Sequence, residues 1–220
     1  MFDDDWETIS GKAADDIELL NLSNQASLIR AFIVFLKFHD TGKGSGLAAN
    51  PPDTALMELH RAGTLLLLHQ PGKIREADDD VVVQFQGTVV HSPPKADTVE
   101  DWLERFFSEL GERWPRENAL RIAAFSLWMI SWIHPFKNGN GRTARAFAYL
   151  CLCLKLGFEL PGRKTLMDLI TSNKVEFEGG LRVADRTFAA VGVADTSVLE
   201  AFLARLLALQ LSSIDADGGV

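Results

Sequence analysis

The sequence predicts a mainly α-helical fold carrying one small β-hairpin. Two patterns lead there. Apolar residues recur at helical spacing through most of the chain, and β-branched runs flank Gln86-Gly87, where a strand pair is indicated. No internal repeat or long low-complexity stretch interrupts this organisation. A length of 220 residues with 47% apolar side chains suffices for a core without disulfide or metal staples.

Residues 1–20 are acidic and are expected to be loosely ordered. Leu28-Ile29, Phe32-Ile33 and Phe35-Leu36 follow a helical period and predict an amphipathic helix over 22–38. The segment HDTGKGSGLAANPPD (39–53) is rich in turn formers and reads as a connector. Its Gly-x-Gly lacks the preceding strand that a phosphate loop needs. A second helix is expected over 54–68, with Asp53 as N-cap and Leu56, Leu59, Gly63 and Leu66 on one side. The hairpin is expected at 81–83 and 88–90, closed off by Ser92-Pro93-Pro94. A third helix, 98–110, has Val99, Trp102, Leu103, Phe106, Phe107 and Leu110 on its apolar side.

Asn118 is placed to cap a fourth helix ending at Ile133. Its sequence, ALRIAAFSLWMISWI, is apolar nearly all round, so it belongs in the centre of the fold. Pro135 and two glycines break the helical pattern before RTARAFAYLCLCLKLGF resumes it. Shorter helices at 165–170 and 176–185 and a last amphipathic helix at 196–211 complete the set, with a disordered tail, SSIDADGGV.

Thirty acidic residues against 22 basic ones give a net charge of −8. No broad positive field is available for nonspecific binding to nucleic acid or to an anionic membrane surface, although a small positive pocket remains possible. Cys151 and Cys153 lie about 200° apart on a helix, which disfavours a disulfide or a shared metal and suits a reducing, cytoplasmic setting. The N-terminus, MFDDDWETIS, has neither the basic nor the apolar region of a signal peptide. No uninterrupted apolar run approaches the roughly 20 residues that span a bilayer, so a membrane span is not expected.

The chemically specific residues are concentrated in 134–145. Gly139-Asn140-Gly141 is a turn that opens a helix, whose first N–H groups have no intrahelical partner. Small residues let a ligand approach that backbone, and such a place attracts phosphate. Arg142 and Arg145 share a face of the first turn and suit a polyphosphate. His134, just before the turn, is the natural general base. The helix N-terminus and the two arginines are expected to disfavour its protonated form. Each feature alone is more often structural; together they define a site.

HPFKNGNGRTAR resembles the Fic family signature, HPFx(D/E)GNGRxxR. The likeness extends over about residues 50–190, through LHRAGTLLLLHQPGKIREADDDVVV and HSPPKADTVEDWLERF before the motif and LPGRKTLMDLI and EFEGGLRVAD after it. It implies a Fic-type helical core with a hairpin flap over the active site. It divides one structural unit into an N-terminal helical extension and Gly-rich loop (1–50), a Fic domain (50–190), and a C-terminal helix with its tail (190–220). Most Fic proteins transfer AMP from ATP to a Ser, Thr or Tyr hydroxyl of a target protein. On that resemblance His134 deprotonates the hydroxyl, and Gly139, Asn140 and Gly141 form the anion hole for the α- and β-phosphates. Arg142 and Arg145 hold the β- and γ-phosphates, and Phe136 anchors the loop. The flap, Val81-Val82-Val83-Gln84-Phe85-Gln86-Gly87-Thr88-Val89-Val90, aligns the target as an added strand. The implied partners are a protein target with a hydroxyl side chain and, as an option, a separate antitoxin chain. Neither nucleic acid nor membrane is implied.

Asn138 departs from the signature, which has an Asp or Glu there as ligand to Mg²⁺. An amide oxygen brings no charge, so weaker Mg²⁺ binding, or a preference for Mn²⁺, is expected. The same residue admits a catalytically silent Fic-fold binding module as an alternative, beside transfer of UMP or phosphocholine. Phosphate transfer of the Doc type is less expected, because Doc proteins carry lysine where this chain has Gly141. Many Fic proteins are restrained by a (S/T)xxxE(G/N) helix whose glutamate pairs with the second motif arginine. Thr54/Glu58, Ser108/Glu112, Ser172/Glu176 and Thr196/Glu200 have the spacing, but none is followed by Gly or Asn. Thr196 reads more simply as an N-cap and Glu200 as an exposed carboxylate.

Overall fold

The computed structural model describes residues 7–39, 49–77, 79–85, 87–162 and 164–213. Among them are eight α-helices and a two-stranded antiparallel sheet: α1 (Lys12–His39), α2 (Asp53–Thr64), β1 (Val83–Phe85), β2 (Thr88–His91), α3 (Val99–Arg113), α4 (Ala119–Ile133), α5 (Asn140–Leu156), α6 (Leu166–Ser172), α7 (Lys174–Val191) and α8 (Ser197–Ser212). The predicted fold class is the observed one.

The centre is the α4–α5 pair, the most extensive helix contact among the described residues. Both helices are buried nearly all round. Ala123, Ala124 and Ser126 on α4 and Ala144, Ala148 and Cys151 on α5 keep side-chain volume low, and Ser126 Oγ comes within 3.7 Å of Cys151 Sγ. Helices α1 and α2 cover α5 on one side, while α8 packs on α4, α6 and α7 on the other. Phe147 is fully buried between the rings of Phe106 and Phe107, 5.8 and 5.9 Å away, which fastens α3 to α5. Trp102, Trp128 and Trp132 gather around Phe188 and tie α3 and α4 to α7. Cys151 and Cys153 are free and buried.

Several boundaries differ from expectation. The first helix begins at Lys12, ten residues before the expected start, so 12–20 are ordered helix. Its inward stripe starts with polar residues. Asn21 donates to the Leu65 carbonyl (2.7 Å) and Gln25 to the Leu59 carbonyl (2.8 Å), with Ile29, Ile33 and Leu36 following. Apolar periodicity is blind to that first half. The same helix, over Lys12–Lys37, is long and apolar enough to cross a membrane by length and composition alone, and it packs on α2 and α5.

Helix α2 stops at Thr64, where the Thr64 hydroxyl bonds the His60 carbonyl. Leu66 lies beyond it, exposed, at φ 62°. Asp53 is the first helical residue rather than the cap, accepting from the Thr54 N–H at 2.7 Å. In the hairpin the first strand sits at 83–85 rather than 81–83, because pairing is set by Phe85 opposite Thr88 and Gln84 opposite Val89. An irregularity between Val83 and Gln84 shifts the register to His91.

Helices α3 and α7 run longer than expected, and α8 begins one residue after Thr196. Asn118 caps α4 as expected, accepting from the Arg121 N–H at 2.9 Å. Residues 40–48 of the expected connector (39–53), Gln86 of the flap and most of the expected tail lie outside the described residues. Truncating Phe147 to Ala empties the centre of the α3–α5 contact. The expected cost is about 3–5 kcal/mol of unfolding free energy, read by urea denaturation.

Candidate active site

Helix α4 ends on His134, whose backbone takes the left-handed conformation (φ 52°, ψ 58°). This region is uncommon for a residue with a Cβ and needs support from its surroundings. Arg75 supplies it. Its fully buried guanidinium donates from Nε to the His134 carbonyl (2.8 Å) and from Nη2 to the Ile133 carbonyl (3.2 Å) and the Pro94 carbonyl. Its own N–H reaches the Pro135 carbonyl at 2.9 Å. One side chain thus ties the end of α4 to the loop before the flap and to the segment after it.

The His134 ring bonds the Ser131 carbonyl through Nδ1 at 3.3 Å. A carbonyl only accepts, so Nδ1 carries the proton and Nε2 keeps its lone pair. Burial pushes the His134 pKa down to about 4, and the charges of His91 and Arg75 press in the same direction. The imidazole is therefore neutral at pH 7, as expected, but burial is the main cause and the motif arginines are not among the charges that act on it.

The turn after it is held by Asn140, Phe136 and His60. Asn140 Oδ1 accepts from the Phe136 N–H (2.8 Å) and Nδ2 donates to the Phe136 carbonyl (2.6 Å), so this buried amide closes the loop on itself. Phe136 is fully buried and stacks on the His60 ring at 3.7 Å. His60 donates from Nε2 to the Asn138 carbonyl (2.9 Å) and accepts at Nδ1 from the Gly72 N–H (2.8 Å). This arrangement requires the neutral ring, and burial lowers its pKa to about 4. Gly139 (φ 77°) tolerates no side chain: a Cβ there would stand 2.6 Å from Thr64 Cγ2. The first intrahelical bond of α5 is Thr143 N–H to the Gly139 carbonyl (3.0 Å), so the N–H groups of Asn140, Gly141 and Arg142 precede the ladder.

The two arginines differ. Arg142 donates to the Gly63 carbonyl (2.5 Å) and pairs with Glu18 of α1. Arg145 has no hydrogen bond or ion pair with any described residue and faces a cavity of about 400 Å³. Burial, and then Arg142, lower its pKa to about 10, so it stays charged at pH 7. The same cavity is lined by His134, Gly141, Val83, Gln84 and Val90 of the hairpin, and Lys174, Glu178, Arg182 and Asp185 of α7. Val82, Val89 and Val90 are exposed apolar residues around the hairpin. Asp185 accepts from Trp128 Nε1 at 2.9 Å, and burial raises its pKa.

Asn138, expected as a weak metal ligand, spends its amide locally. Oδ1 accepts from the Gly139 N–H (2.6 Å), and Nδ2 donates to Glu7 Oε1 (3.1 Å). Alone it is a poor fit for Mg²⁺, and among the described residues no group of three or more His, Cys, Asp or Glu side chains is arranged to hold a metal. Glu18, Glu7, Arg75 and His60 all act at this site without a local motif to signal them. Glu18 in particular has Ala14 four residues before it and Leu19 after it, so it fails both flanks of the inhibitory pattern. Of the four spacing matches considered, Glu200 instead pairs with Arg121 at 3.5 Å and Glu176 with Arg205, away from the motif.

Residues 52–152 match the family model described as the Fic/DOC family. Solved structures with a similar fold include a Fic family protein from Desulfovibrio desulfuricans G20 (20% identity, TM-score 0.63, 94% of this chain and 63% of that one). Fic-1 (residues 134–508) from C. elegans aligns at 22% identity and TM-score 0.66, over 94% of this chain and 54% of that one. A Fic domain containing signaling protein from Bacteroides thetaiotaomicron aligns at 16% identity and TM-score 0.58, over 89% of this chain and 74% of that one. The chain thus spans less than two thirds of the first two, and at these identities the likeness is one of fold. No curated protein sequence matches the chain.

Two outcomes test this corner. His60 and His134 bind no proton in the fold until about pH 4 but bind one each near pH 6.5 when unfolded. Their depressed pKa values mean that stability is full above pH 6.5 and is lost as pH falls toward 4, with a proton-uptake slope approaching two in urea titrations run across that range. Arg75→Met leaves the carbonyls of Ile133, His134 and Pro94 without this donor. It is expected to cost at least about 3 kcal/mol, read as a lowered urea midpoint.

Proposed function

We propose that the chain is a protein adenylyltransferase that transfers AMP from ATP to a Ser, Thr or Tyr hydroxyl of a target protein. The observation that carries this reading is the convergence on one cavity of a neutral histidine with a free Nε2, the start of a helix, and an unpaired arginine. In the proposed reaction His134 Nε2 takes the proton of the target hydroxyl. The hydroxyl oxygen attacks the α-phosphorus, the bond from that phosphorus to the bridging oxygen breaks, and pyrophosphate leaves. The free N–H groups of Asn140, Gly141 and Arg142 serve the α- and β-phosphates, and Arg145 and Arg142 the outer ones. The Asn140 side chain acts by closing the loop. A divalent cation, Mg²⁺ or Mn²⁺, would screen phosphate charge when bound. The unpaired hairpin edge suits a target segment added as a strand.

Glu18 competes for Arg142 with any outer phosphate, which favours restraint from within the chain over a separate antitoxin chain. Incubation with a host-cell lysate and either α- or γ-labelled ATP tests the reading. Label on protein from the α-position is expected, falling at least about 100-fold in His134→Ala. Glu18→Gly is expected to raise it about tenfold, the equivalent of one charge-assisted bond of about 1.5 kcal/mol. Label from the γ-position would mean phosphate transfer instead. Nucleotide binding without turnover, unchanged by His134→Ala, would support the silent binding module.

A further inference from the structure

Position 138 lacks the carboxylate of the family signature, yet a carboxylate stands beside it. Glu7, 131 residues away in sequence, accepts from Asn138 Nδ2 at 3.1 Å. It is brought there by the chain rather than by chance proximity. Glu7 forms a β-bridge with Leu68. The neighbouring Thr8 N–H reaches the Leu67 carbonyl at 3.0 Å, and the Thr8 hydroxyl bonds the Leu66 carbonyl. Residues 66–68 follow directly on α2, the helix whose His60 and Thr64 pack against Gly139. The carboxylate and the anion-binding turn are thus registered on the same helix.

The electrostatics point to a third body. A carboxylate beside a phosphate-binding turn repels the ligand unless a cation lies between them. The cations of the turn do not neutralise Glu7: Lys137 pairs with Asp79 at 2.7 Å, Arg142 pairs with Glu18, and Arg145 faces the cavity. Among the described residues Glu7 has one polar side-chain contact, the Asn138 amide. It is exposed, so its second oxygen is open to a solvated ion. Asn138, by contrast, has turned its oxygen onto the Gly139 N–H.

We propose that Glu7 supplies the carboxylate that position 138 lacks, so that a divalent cation accompanying a bound nucleotide is held by Glu7 together with phosphate oxygens. The acid has moved from the motif to the N-terminal arm, and Asn138 orients it. This rests on the nucleotide-transfer reading above. It corrects the sequence-based expectation that Asn138 simply weakens the cation site.

The test uses the full chain with Mn²⁺ and a β,γ-methylene ATP analogue. Electron paramagnetic resonance reads Mn²⁺ affinity in the ternary complex, and a fluorescent ATP analogue in chelator reads nucleotide binding without metal. Glu7→Gln keeps an acceptor for the Asn138 amide and removes only the charge. It is expected to weaken Mn²⁺ binding about tenfold or more while leaving metal-free nucleotide binding unchanged. Asn138→Asp is expected to add little in the wild-type background and to restore Mn²⁺ affinity in Glu7→Gln. Unchanged Mn²⁺ affinity in Glu7→Gln overturns the proposal and leaves nucleotide transfer standing. So does a loss that Asn138→Asp fails to restore. Absence of nucleotide binding by the wild-type chain overturns both.

Discussion

The candidate active-site corner depends on one buried guanidinium. A helix that ends on a left-handed non-glycine residue leaves its last carbonyls without partners and puts a strained backbone at its tip. Arg75 answers both needs, because its planar fork reaches the Ile133, His134 and Pro94 carbonyls at once. Taking an arginine out of water is costly, and several bonds are required to offset that cost. The balance is not complete. Nη1 makes no hydrogen bond and faces Asp80 from 3.8 Å. The consequence is geometric: α4, the loop before the flap and the motif cannot move independently, so the hairpin keeps a fixed relation to His134.

Two histidines then show how the same desolvation serves different ends. Both are held neutral at pH 7 by burial. His60 uses both nitrogens on backbone groups, and with Phe136 stacked on its face it is a spacer that sets the height of the turn. His134 uses only Nδ1, and its remaining lone pair borders the cavity. Chemistry is available where a nitrogen is left over, and of these two histidines only His134 has one.

The central helices and the motif were legible in the sequence because their signals are local. Asn118, the unbroken apolar run to Ile133 and the glycines after Pro135 each act within a few residues of themselves. The first turns of α1 were not legible, since Asn21 and Gln25 occupy its inward stripe and look like surface residues until the Leu65 and Leu59 carbonyls are seen opposite. The long-range contacts of the site were invisible for the same reason. Arg75, Glu7 and Glu18 sit in segments without a pattern of their own, and their meaning comes from partners 59, 131 and 124 residues away. The strand boundary at Val83 was missed because three consecutive valines carry no information about register.

The N-terminal segment gives the site its resting charge balance. Arg142 is largely buried, and a buried cation needs a partner before any ligand arrives. Glu18 is that partner. It is half-exposed, so it can be displaced into water at modest cost. Arg145 is left without one, although Glu18 and Asp168 lie close enough to favour its charge. On the proposed reading, an incoming polyphosphate would meet one free guanidinium and the open N–H groups of α5 first, and would have to win Arg142 from Glu18 second. Binding of the inner phosphates and binding of the outermost one would then be separate events with separate energies. On the proposed reading, a nucleotide would occupy the turn before its last phosphate is seated, and α1 would control that final step through Glu18.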